Sequence, residues 1–104
     1  MRTVRILADA AEEAIEAAAW YERQRPGLGA DFFEAFEAAV DLVEAQHIPL
    51  SPHPGKAGAA GAKRVILKRF PYDIVLVEHD AELVVLAVAQ QSRRPGYWRE
   101  RLSP

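Results

Sequence analysis

The sequence predicts an α+β fold in a single domain, with element order β-α-α-β-β-β and a helical hairpin packed on a mostly antiparallel sheet. Three observations carry that prediction. The chain has 104 residues, enough for one hydrophobic core and not two, so residues 1–104 are expected to form one domain. Its first half repeats apolar residues at the 3.6 period of a helix, while its second half gathers Val, Ile, Leu and aromatics into short runs broken by turn residues. Between the halves, residues 47–61 hold three prolines (Pro49, Pro52, Pro54) and three glycines (Gly55, Gly58, Gly61), which continue neither regular structure.

Taken in order, Arg2 to Leu7 reads as a short strand through Val4 and Ile6. Asp9 with Glu12 then has the D-x-x-E spacing of a capping box and is expected to open the first helix as its N-cap. Ala11, Ala14, Ile15, Ala18 and Tyr21 fall on one face, with Glu12, Glu13, Glu16 and Arg23 facing away. An inward face made mostly of alanine lets a neighbouring backbone come close, and Arg25-Pro26-Gly27 ends the helix. The second helix carries Leu28, Phe32, Phe36, Ala39, Val40 and Val43 on one stripe and Asp31, Glu34, Glu37, Asp41 and Glu44 on the other. So short a join makes the pair an antiparallel hairpin.

The Pro/Gly segment from His47 to Gly61 is expected to be a mobile loop. Lys63 to Phe70, Tyr72 to Glu78 and Leu83 to Gln90 then form an antiparallel meander, with turns at Pro71 and His79-Asp80-Ala81. The last strand is apolar on both faces, Leu83, Val85 and Ala87 against Val84, Leu86 and Val88. It should therefore lie inside the sheet and be covered twice, by the helical hairpin on one face and by a partner protein on the other.

Composition excludes several classes of protein. Half of the residues are hydrophobic, which excludes wholesale disorder, and the longest strongly apolar run, Leu83 to Ala89, is far shorter than the roughly 18 residues of a membrane span. There is no cysteine and no apolar leader, so a cytoplasmic location, with no disulfide and no membrane partner, is expected. The net charge of −2 hides an asymmetry: residues 1–60 carry five basic and ten acidic side chains, and residues 61–104 carry eight and five. The second half thus offers a basic surface toward an anionic partner, although its excess is small beside that of dedicated nucleic-acid binders.

Few residues suggest chemistry. His47, His53 and His79 have no ligand spacing and read as solvated loop histidines, so neither metal nor cofactor is expected. The run Gly55 to Lys63 is no phosphate loop, since no Ser or Thr follows its lysines and it precedes a strand. Ser51 and Ser92 lack a nucleophile signature. A basic set is left. Arg64 and Lys68 share a strand face by period two, Arg69 ends that strand, and Arg93 and Arg94 follow the last one. Their guanidinium groups suit a phosphate or carboxylate, and Tyr97 or Trp98 can stack on a base or enter a protein groove. The alternative reading leaves Arg64 and Lys68 as solvated surface and Trp98 as the closure of the core edge.

The stretches Ala18-Ala19-Trp20-Tyr21-Glu22 and Arg25-Pro26-Gly27-Leu28-Gly29 with Phe32, Arg64 through Tyr72, Val85 through Ala89 and Arg93-Arg94-Pro95-Gly96-Tyr97-Trp98 resemble, in this order, the ParE/RelE superfamily of type II toxins. The resemblance implies a compact toxin neutralised by a small cognate antitoxin, whose acidic residues would meet Arg64, Lys68 or Arg93. Many relatives read Ala-Val-Ala-His where this chain has Ala87-Val88-Ala89-Gln90, and glutamine exchanges no proton near neutral pH. The RelE-like branch, a ribosome-dependent endoribonuclease acting on mRNA, would place Arg64, Lys68 and Arg93 on the phosphate and Tyr97 near the attacking group. The ParE-like branch, which the chain resembles more closely in Phe70-Pro71-Tyr72 and Pro95-Gly96-Tyr97-Trp98, implies binding to DNA gyrase without a recognised catalytic residue. Target contacts would then fall on Arg64, Lys68, Arg69, Arg93, Arg94, Tyr97 and Trp98.

Overall fold

A computed structural model describes residues 3–45, 50–94 and 96–102. Its elements are β1 (Val4–Ile6), α1 (Ala8–Gln24), α2 (Leu28–Glu44), β2 (Ser51–Pro52), α3 (Lys56–Ala59), β3 (Lys63–Ile66), β4 (Tyr72–His79) and β5 (Glu82–Gln90), followed by a 3-10 turn over Arg99–Leu102. The five strands make one sheet in the order β1-β5-β4-β3-β2. β1 runs parallel to β5 and every other pairing is antiparallel, which makes the sheet mostly antiparallel, as predicted. No helix among the described residues is long and apolar enough to cross a membrane.

The strand-to-helix join corrects the predicted cap. Leu7 donates its N–H to the Val85 carbonyl at 3.1 Å, prolonging the β1–β5 pairing, and its own carbonyl accepts from Ala11. The helix is thus already under way at Ala8, and Asp9 lies in its first turn rather than at its cap, where its carboxylate still favours the positive helix end. The buried face consists of Ala10, Ala14, Ala17 and Ala18, while Ile15 is 58% exposed. That rotation brings Glu13, predicted to face away, to the edge of the sheet.

The two helices meet at alanine and glycine. An added Cβ at Gly29 would lie 2.6 Å from the Ala18 carbonyl oxygen, so only glycine permits this approach. Gly27, with φ +90°, turns the chain into α2, and the Glu22 carboxylate accepts from the N–H groups of both Gly27 and Gly29 at 3.0 Å. A side chain of α1 thereby satisfies orphan donors at the start of α2, which has no side-chain cap of its own. Phe32, packed against Tyr21, Phe70 and Tyr72, anchors the core between hairpin and sheet.

A β-bulge changes the predicted faces of the last strand. Leu76 pairs with Val85 but Val75 pairs with Ala87, so Leu86 is an extra residue. After it the alternation slips by one: Ala87 joins Val84 and Leu86 on the face away from the helices, and Val88 joins Leu83 and Val85 beneath them. That second face was expected to await a partner. The chain's own C-terminal segment covers it instead, with Trp98, 1% exposed, in one buried cluster with Val75, Val77, Val84, Leu86, Ala87 and Ala89. One large indole supplies the apolar area that a partner was expected to bring.

Two further predictions are corrected. The strand expected over Lys63 to Phe70 stops at Ile66, because Leu67 and Phe70 both turn inward to the core and Leu67 bonds across the turn to Tyr72. Lys68 therefore shares no strand face with Arg64. The expected loop contains β2, paired to β3 through Ser51↔Arg64 and Pro52↔Lys63, and the single helical turn α3. Its backbone groups find partners, among them His53 N–H to the Ala62 carbonyl at 2.9 Å. His47 and Pro49 lie outside the described residues.

Candidate binding site at the open end of the sheet

β1 pairs with β5 only as far as Ile6↔Val85, so beyond Val85 the flank of β5 has no strand beside it. Glu13 of α1 fills that place. Its Oε1 accepts the Val88 N–H at 3.0 Å, a bond that a strand carbonyl would otherwise accept. The same carboxylate accepts the Tyr97 hydroxyl at 2.7 Å and the Arg101 guanidinium at 3.2 and 3.4 Å. Arg101 also donates to the Leu86 carbonyl at 3.0 Å and lies 3.6 Å from Asp9. The two ends of the chain are thus pinned at the bulge by one charge-assisted network.

Tyr97 is fixed by this network. Burial, the hydrogen bond to Glu13 and the charge on Glu13 together push its phenol well above the usual tyrosine range, outweighing the opposite pull of Arg93 and Arg101. The Arg93 guanidinium lies over its ring, 3.8 Å from the centroid. A phenol so placed keeps its proton for the bond to Glu13.

Two clefts flank Gln90 and Arg93. The first, about 310 Å³, lies between α1 and the ends of β4 and β5 and is walled by Glu16, Trp20, Tyr72 and Gln90. The second, about 400 Å³, lies on the face covered by the C-terminal segment and is walled by His53, Arg64, Asp73, Arg94, Tyr97 and Trp98. In it, Asp73, 7% exposed, accepts from Arg64 at 3.4 Å and from Gln91 at 3.1 Å. The His53 ring stands edge-on to Trp98, with centroids 4.9 Å apart, and its Nδ1 donates to the Pro54 carbonyl at 3.1 Å.

Of the residues singled out in the sequence, Arg64, Arg93, Arg94, Tyr97 and Trp98 converge on this second cleft. Lys68 and Arg69 do not: they line a groove of about 270 Å³ against α2, beside Ala35, Ala38, Ala39 and Leu42. Arg69 lies 3.5 Å from Asp31 there. Trp98 is core rather than an exposed anchor. Sequence reasoning missed Glu13, Asp73 and His53. A carboxylate inside the apolar strand Tyr72-Asp73-Ile74 is a legible signal, since strands disfavour Asp; Glu13 shows no such signal until the face of α1 is known. Among the described residues no three His, Asp or Glu side chains form a group able to hold a metal ion.

The fold as a whole is similar to that of a solved structure. A chain described as "Chromosomal ParDE TA system from P. aeruginosa" superposes with a TM-score of 0.73 at 15% sequence identity, over 86% of this chain and 96% of that one. The likeness establishes the fold, an α+β arrangement of a helical hairpin on one sheet. No protein-family model and no curated protein matches the chain.

Proposed function

We propose that residues 1–104 act as one toxin domain of a type II toxin-antitoxin system, ParE-like in kind. In this reading the chain works in the cytoplasm, arrests growth by binding DNA gyrase, and is neutralised by a small cognate antitoxin. The fold shared with the ParDE structure carries the reading. Two points support a binding mechanism over chemistry at Tyr97: the phenol is committed to Glu13, and Gln90 stands where the resemblance to ParE/RelE toxins would place a histidine. Arg64, Arg93 and Arg94 are the proposed contacts around the second cleft, and Lys68 and Arg69 those on the α2 groove. Supercoiling by purified gyrase, assayed with increasing amounts of this chain, tests the proposal. Inhibition that a co-expressed antitoxin relieves is expected; growth arrest with supercoiling untouched would overturn it.

A second reading, the ribosome-dependent endoribonuclease, draws on one observation. His53 shares the cleft with Arg64, Arg93 and Arg94, and an imidazole is a side chain that can exchange a proton, which the Gln90 amide cannot. Cleavage of mRNA on induction, abolished by His53→Gln, would favour it.

A further inference from the structure

One carboxylate in the first cleft has no counter-charge. Glu13, Glu16, Ala17 and Trp20 follow the i, i+3, i+4, i+7 spacing of α1, so a single stripe of the helix makes one wall. Ala17 in that stripe leaves the room that a larger side chain would take. Glu13 is matched by Arg101 at 3.2 Å and approached by Arg93 at 3.9 Å. Glu16, exposed on the same stripe, makes no ion pair and no hydrogen bond among the described residues. Two aromatic rings line the cleft with it, Trp20, 49% exposed, from the helix wall and Tyr72 from the sheet wall, and Gln90 adds a carboxamide. The Trp20 indole N–H, the Tyr72 hydroxyl and the Gln90 side chain likewise make no hydrogen bond among the described residues.

We infer that the first cleft binds a small aliphatic ammonium ion, with its charge on Glu16 and its carbon chain between Trp20 and Tyr72. The carboxylate supplies the counter-charge, the Gln90 amide oxygen a second acceptor, and aromatic rings attract a cation that has shed part of its water. A volume of about 310 Å³ lies at the lower end of small-molecule sites, which suits an amine of a few carbons. The site stands on the charge and shape of the cleft, independently of whether the chain binds gyrase.

An anion fits this cleft less well. It would meet Glu13 and Glu16 with only Arg93 in its favour, and the Arg93 guanidinium already lies 3.8 Å from the Tyr97 ring centroid. Residues 1–60, which supply the helix wall, carry ten acidic against five basic side chains, so the surroundings draw cations toward the cleft.

The test is titration of the full chain with butylammonium chloride, with sodium butanoate and with sodium chloride alone, followed by nuclear magnetic resonance. Butylammonium should move the Trp20 indole N–H resonance to saturation while that of the buried Trp98 stays in place. Glu16→Gln and Trp20→Ala should each weaken binding about tenfold, the second read from the Gln90 side-chain amide. Both residues are exposed, so their variants keep the fold. Arg93→Gln, which removes the competing cation, should tighten binding about threefold. Glu37→Gln makes the same charge change at an exposed position of α2 and should leave binding as it is. No saturable shift, an equal shift with sodium chloride, a larger one with butanoate, or equal weakening by Glu37→Gln would each overturn the site.

Discussion

The Tyr97 hydroxyl donates to the Glu13 carboxylate across 84 residues of chain, at 2.7 Å, and that carboxylate also holds Arg101 and the Val88 N–H. Three donors depend on one acceptor. Glu13→Ala should therefore cost about 3 kcal/mol, the loss expected when a partly buried guanidinium and a backbone donor are left unpaired. Tyr97→Phe, which leaves Glu13 with its other partners, should cost about 1 kcal/mol. Urea unfolding of the two variants checks the order; equal losses would mean that the network hangs on the phenol and not on the carboxylate.

Tyrosine ionisation gives a second test. Burial raises Tyr21, Tyr72 and Tyr97, all three tyrosines of the chain, above the value of 10.0 for a free phenol. Each group keeps its proton in the fold and loses it in the unfolded chain, so the stability it contributes is complete below pH 10 and falls as pH rises beyond it. Absorbance at 295 nm should show little tyrosinate in the native protein at pH 10 and about half-titration in guanidinium. Tyr97→Phe should flatten the alkaline loss of stability.

Trp98→Ala should destabilise the protein by about 3 to 5 kcal/mol, because the buried indole is the largest side chain of the second core. The expected outcome is a melting temperature lower by roughly 15 °C or more for a domain of this size. A truncation that removes Tyr97 onward carries the same cost, so loss of toxicity in it reports on folding and not on target contacts.

Gly29→Ala sets two effects against each other. Alanine gains about 1 kcal/mol of helix propensity, but its Cβ would meet the Ala18 carbonyl at 2.6 Å, backbone against a packed helix. Separating the helices costs about 1 to 3 kcal/mol, and the bonds from Glu22 to Gly27 and Gly29 stretch with it. Net destabilisation is expected in thermal melts.

The helices and two long strands were legible because their periodicities are strong, and Gly27 marked the join. What was not legible depends on events that local patterns do not record. The bulge at Leu86 inserts one residue into an unbroken apolar run, where any face assignment looks equally good, so Ala87 and Val88 were exchanged. The end of β3 at Ile66 was masked by the continuing Leu67 and Phe70, which serve the core from a turn as well as they would from a strand. In the site, five of the seven basic and aromatic residues singled out do gather at one cleft. Glu13 was hidden because a helix face of alanines tolerates a rotation of one residue with little change in apolar pattern.

The pinning of Arg101 to Glu13 also bears on how the molecule is made. During synthesis the helical hairpin emerges early and can begin to pack, yet β1 has no neighbour until β5 arrives, and the carboxylate of Glu13 waits for Tyr97 and Arg101, 84 and 88 residues further on. The second face of the sheet stays bare until Trp98 follows. Emergence of residues 97–101 is therefore the step that completes the basic cleft, so a growing chain that stops short of them carries no assembled copy of the surface proposed to act.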